Sequence, residues 1–195
     1  MGRPPRHSAD ELLDAAVRLF AAGGPEAVTM SAVAREAGAP SGSVYHRFPG
    51  RPALQAALWL RTVRRFHRDY LAVLGGERPL DAAAAAVRWC RERPGEAQVL
   101  YAGKRLLGAS SWSAEDRAED ARCDAALDEV LRTVVRRLRA QTGSSADELL
   151  LVLIDLPYAV VRRYLAQGRP PPESAVDLVA RIARTISTDE GTNDG

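Results

Sequence analysis

Residues 29–48 read TMSAVAREAGAPSGSVYHRF, and this stretch decides the fold. Thr29 is a good N-cap, so a helix is expected from there to Ala37. Gly38 can take the positive φ that ends a helix sharply. A second, short helix is expected over Ser41–Phe48, ended by Pro49-Gly50. Val33 and Ala37 share one side of the first helix. Val44 and Phe48, at i and i+4, point inward from the second. Small Ala34 and Ala37 let the two helices approach closely. Such a pair can present its second helix to the major groove.

The outer face of that second helix suits DNA. Ser41, Gly42 and Ser43 keep its start slim, so backbone amides can approach phosphates or base edges. Tyr45, His46 and Arg47 each carry a donor able to reach a phosphate, and Arg51 opens the next helix. A helix–glycine–helix can also be a plain structural corner. The gathered donors favour the nucleic-acid reading.

Outward from this motif the sequence is all-α. Ser8 and Glu11 form a capping box for a helix over 9–22, with Leu13, Val17 and Phe20 on one face and Gly23-Gly24-Pro25 as its stop. A long helix is expected from Arg51 or Pro52 to Leu74, then further helices over 80–91, 96–107, 114–140, 146–166 and 173–186. That makes about nine helices and no convincing strand. An arm over 1–8 is expected to be flexible and a tail over 187–195 disordered. The division expected is a three-helix helix-turn-helix domain over 1–50 and a helical domain over 51–195.

Composition agrees. The 195 residues carry a net charge of only +2, but residues 1–68 hold ten arginines against five acidic residues. The basic surplus therefore sits beside the motif. Cys90 and Cys123 lie in expected helices and form no CxxC pair, which argues against a zinc site and for buried free thiols. No signal peptide or membrane-length apolar run is evident, so a soluble, cytoplasmic protein is expected.

The chain resembles the TetR family of transcriptional regulators over about Ala9 to Leu58. The resemblance rests on Val17-Arg18-Leu19-Phe20-Ala21-Ala22-Gly23-Gly24, Val28-Thr29, Ala34, Ala37-Gly38, Gly42-Ser43-Val44-Tyr45-His46-Arg47-Phe48 and Arg51-Pro52-Ala53-Leu54, in that order. It implies that Thr29 contacts a phosphate and that Ser41, Gly42 and Ser43 lie at base edges. Tyr45, His46 and Arg51 would clamp phosphates, with Arg47 assisting. Two positions depart from the pattern: Pro40 stands where many members have a capping residue, and Ser31, also in the candidate interface, where many carry a basic one. With short side chains at 41–43, some reliance on DNA shape is expected. The resemblance further implies a repressor that binds a palindromic operator as a dimer and is released by a small-molecule effector.

The C-terminal part supplies a candidate dimer surface. Residues 149–154, LLLVLI, are apolar all round, so one face can pack inward and another on a partner. Val176, Val179, Ile182 and Ile186 form a stripe on the last helix. Leu149, Leu153, Val160, Tyr164 and that stripe are the expected interface, which the resemblance makes a four-helix bundle; intramolecular core is the competing reading. Asp155 interrupts the apolar run, and Pro157 removes an amide, so a kink is expected there. Asp155 is read either as an intrahelical partner of an arginine or a solvated interface edge, or as a polar anchor in an effector pocket. Trp89, Tyr101, Trp112, Tyr158 and Arg162 are the other pocket candidates.

Other classes fare worse. No phosphate-cradling glycine loop, HExxH or EF-hand loop is present, and His7, His46 and His67 form no recognisable nucleophile–base pair. No enzyme activity, cofactor or metal is expected. The remaining alternative is a helical protein-interaction or ligand-binding module without sequence-specific DNA binding.

Overall fold

The computed structural model describes residues 8–186. The arm before Ser8 and the tail from 187 lie outside the described residues. In chain order the helices are α1 (Ala9–Ala27), α2 (Met30–Glu36), α3 (Ser41–Arg47), α4 (Arg51–Leu74), α5 (Asp81–Glu92), α6 (Pro94–Leu106), α7 (Ala114–Thr142), α8 (Ala146–Leu150), α9 (Leu156–Leu165) and α10 (Glu173–Thr185). A 3-10 turn, Ala109–Ser111, precedes α7, and a π turn, Leu151–Asp155, joins α8 to α9. With α8 to α9 taken as one interrupted helix, there are nine helices and no strand among the described residues.

Two compact units form, one from the residues up to Arg64 with Gly95–Ala121, the other from Arg65–Pro94 with the residues from Arg122. This boundary falls inside α4, whereas the sequence suggested a division at residue 50.

In the first unit, the capping box at the start of α1 is complete: Ser8 Oγ accepts from the Glu11 amide at 3.2 Å, and the Ser8 amide donates to Glu11 Oε2 at 2.7 Å. Gly23 and Gly24 leave helical geometry, so the regular part of α1 ends at Ala22 and Pro25 begins a short turn. Leu12, Val28, Val33, Val44, Leu54 and Leu58 are fully buried, and apolar burial of this kind drives such a small assembly. Gly95 at the start of α6 is required for packing: a Cβ there would lie 2.8 Å from Val17 Cγ1 of α1. A buried arginine braces α4 to α1, Arg61 Nη1 donating to Asp10 O at 3.0 Å and to Asp14 Oδ1 at 2.6 Å. Asp120 of α7 is buried and accepts from Trp59 Nε1 at 2.7 Å and Lys104 Nζ at 2.6 Å. A buried carboxylate is tolerable only with such partners.

The second unit packs α5 against α9 and α10 around a core that includes Leu74, Val87, Leu149, Leu153, Val176 and Val179. Just before Pro157, where a kink is expected, the helix is interrupted by the π turn. Pro157 has no amide hydrogen, so Leu153 O, four residues back, lacks its α-helical donor. The buried Tyr70 hydroxyl of α4 donates to that carbonyl at 3.0 Å. Burial pushes the Tyr70 phenol above its ordinary pKa, which keeps the hydroxyl a donor. A second capping box, Ser145 with Glu148, starts α8.

Candidate nucleic-acid interface

The helix-turn-helix forms as the residue pattern demands. Thr29 caps α2, its Oγ1 accepting from the Ala32 amide at 3.2 Å. Gly38 takes φ +62° with α2 ended behind it. Pro40, with φ −58°, stands at the N-cap of α3 and offers no side-chain cap; the Ser43 amide is taken by Pro40 O at 2.9 Å. Val44 and Phe48 are buried beneath α3.

The opposite face of α3 is open. Tyr45 is 58% exposed, and Ser41, Gly42 and His46 are also exposed. Ser43 and Arg47 are half-buried, as is Thr29, while Ser31 is exposed, with its Oγ 3.4 Å from Thr29 Oγ1. A Cβ added at Gly42 would meet nothing within 4 Å. Glycine there is therefore not demanded by the protein's own packing.

Arg51 is placed differently from a free phosphate clamp. Its Nη2 donates to Pro25 O and to Glu26 Oε2, both at 2.9 Å, and its Nε is buried without a hydrogen-bond partner. The guanidinium thus ties the start of α4 to the turn before α2. Arg18 of α1 and Glu36 of α2 form a second brace at 2.7 Å. Sequence reasoning missed Arg18 and Arg61, because long-range ion pairs leave no periodic trace in the chain.

The six pocket candidates are not gathered in one unit. Trp89 is buried in the second unit and donates from Nε1 to Asp69 Oδ2 at 3.1 Å. It helps line a cavity of about 250 Å³ with Phe66, Asp69, Tyr70, Arg88 and Arg93. Burial pushes the Asp69 carboxyl up, but the Arg68 hydrogen bond and charge, with Arg93 and Trp89, hold it below the usual carboxylate range. Trp112 belongs to the first unit and is buried, its Nε1 donating to Leu107 O at 2.9 Å; it is a packing residue. Tyr101, on α6, is 39% exposed. Asp155, Tyr158 and Arg162 lie on the exposed side of the π turn and α9. The reading of Asp155 as a buried anchor is thereby corrected: a solvated carboxylate needs no partner.

The dimer candidates divide similarly. Leu149, Leu153, Val176 and Val179 are buried inside their own chain. These four are corrected to intramolecular core. Val160, Tyr164 and Ile186 are half-buried, and Ile182 is exposed. Exposed apolar groups sit elsewhere on the same helices: Leu150, Leu151 and Tyr158 near the π turn, and Leu178 beside Ile182 on α10. Of the two cysteines, Cys90 is buried, whereas Cys123 is only half-buried.

A short outward helix held over a packed core by a tight glycine turn is the arrangement of a helix-turn-helix. Residues 12–58 match the model of the bacterial regulatory proteins of the tetR family. An uncharacterised HTH-type transcriptional regulator of Mycobacterium tuberculosis (strain ATCC 25618 / H37Rv) is 33% identical over 92 residues, 45% of this chain. The chain covers less than half, 46%, of that relative's length. Over almost the whole chain the fold is shared with solved structures. AmtR of Mycobacterium smegmatis is 25% identical with a TM-score of 0.59, covering 97% of this chain and 90% of its own. The transcriptional regulator FadR of Bacillus subtilis, solved in complex with stearoyl-CoA, is 14% identical with a TM-score of 0.69, covering 94% of this chain and 100% of its own.

Proposed function

We propose that the chain is a transcriptional regulator that reads a palindromic operator as a homodimer and is released from it by a small molecule. The observation that carries the reading is α3: Val44 and Phe48 anchor it while Tyr45 and His46 face solvent, in a domain matching the tetR family. Tyr45, His46 and Arg47 supply phosphate donors, and Ser41, Gly42 and Ser43 approach the bases, with Thr29 and Ser31 at the flank. Arg51 contributes by holding the α1–α2 turn.

Two-fold assembly would set paired recognition helices about 34 Å apart, one turn of DNA. Leu151 and Tyr158, with Leu178 and Ile182, are the apolar groups available to a partner; Asp155 and Arg162 share their exposure. The Trp89 cavity is the place proposed for the effector, consistent with a mainly apolar site bearing a few polar groups. Among the described residues no helix is long and apolar enough to cross a membrane, and a cytoplasmic location is proposed. Repression is the proposed outcome of binding.

Fluorescence anisotropy on the DNA upstream of the protein's own coding region, with salt varied, tests the reading. Expected are tight retention of that duplex over an unrelated one and an affinity that falls with salt. Tyr45→Ala should weaken binding to both duplexes without altering the melting temperature. Arg51→Ala should lower both binding and the melting temperature. Equal, weak retention of all duplexes would instead favour a helical ligand-binding or interaction module.

A further inference from the structure

α10 carries three distinct stripes. Ala175, Val176, Val179 and Ala183 are buried, and Leu178 and Ile182 are exposed and apolar. The third stripe, Asp177, Ala180, Arg181 and Arg184, forms one wall of a cleft of about 550 Å³. The opposite wall is Arg78, Asp81, Ala84 and Arg88, at and within α5. Ala84 and Ala180 are too short to fill the space between the helices, which leaves the recess open.

Arg78, Arg88, Arg181 and Arg184 line it with Asp81 and Asp177, and Arg184 has a partner of its own. Arg78 is engaged, its Nε 3.0 Å from Asp81 Oδ2. Arg88 and Arg181 come from opposite walls, and neither has an ion-pair or hydrogen-bond partner among the described residues. Like charges brought into one recess repel unless an anion lies between them. The planar guanidinium fork matches the paired oxygens of phosphate better than it matches a halide. The recess has the size of a small-molecule site.

We propose that the α5–α10 cleft binds a compact, multiply charged phosphate-type oxyanion, such as the phosphate end of a small metabolite, held chiefly by Arg88 and Arg181. The site is separate from the Trp89 cavity, although Arg88 lies on the rim of both. Its existence does not depend on DNA binding.

Calorimetric titration of the full chain with pyrophosphate, at ionic strength held constant with sodium chloride, tests it. One saturable site per chain is expected. R88Q and R181Q should each weaken it by roughly tenfold, and the double variant should abolish it. R136Q, which changes an exposed arginine of α7 outside the cleft, should leave it unchanged. All variants should melt as the parent does in chloride. No saturable heat, or an equal loss with R136Q, would overturn the proposal. So would a non-operator duplex that displaces pyrophosphate and loses its own binding in R88Q, since the site would then belong to nucleic acid.

Discussion

Tyr70 shows how one side chain answers a backbone defect. Pro157 leaves Leu153 O without its helical donor, and the Tyr70 hydroxyl takes that place at 3.0 Å. Tyr70→Phe should cost about 1–3 kcal/mol in urea unfolding, because a buried carbonyl is left unsatisfied. Pro157→Ala made in the Tyr70→Phe background should recover part of that loss by restoring an amide. A strictly additive double variant would show that the two sites are not coupled. The cysteines differ at the same scale. Burial pushes the Cys90 thiol up to about 12, so a neutral-pH thiol reagent should label Cys123 first and Cys90 only on unfolding. Equal labelling of both thiols in the native protein would contradict the burial of Cys90.

Local rules made most helices legible. Ser8 with Glu11, Thr29 and Gly38 mark the starts and stops of α1 and α2 because caps and positive φ act within a few residues. The apolar run at 149–154 was harder to read. An all-round apolar helix has no phase, so sequence alone could not say that Leu149 and Leu153 face the core while Leu151 faces out. The π turn compounded this by shifting the phase within the run. Trp112 was equally ambiguous, since its partner, Leu107 O, is a backbone atom that no composition signals.

Helix α3 gives the sharpest prediction at the level of an element. Gly42 has open space where a Cβ would stand, and alanine is the better helix former by about 1 kcal/mol. Gly42→Ala should therefore keep or raise the melting temperature. If the backbone at 42 approaches the base edges, the same variant should lose roughly tenfold in operator affinity. Unchanged affinity would remove position 42 from the interface. Few substitutions separate folding from binding so cleanly.

For the whole molecule, the proposed reading of a palindromic operator depends on pairing. Leu151→Asp and Ile182→Asp each place a charge on an exposed apolar group, so neither should disturb the helical circular dichroism spectrum. Sedimentation should show a parent dimer at micromolar concentration and monomeric variants. Operator affinity should fall with the dimer, since a single half-site forfeits the second set of contacts. A parent that sediments as a monomer would remove the two-fold reading of the operator.

The π turn at Leu151–Asp155 has an evolutionary side as well. Such a turn behaves as one surplus residue in a helix. Excising that surplus residue would let an ordinary α-helix carry the later side chains on the faces they occupy now. Tyr158 and Arg162 would keep facing water, whereas the same deletion in a regular α-helix would turn every later residue by about 100°. Lineages that gain or lose that single residue should therefore keep both the fold and the surface that follows the turn, so this is a place where chain length can drift without penalty.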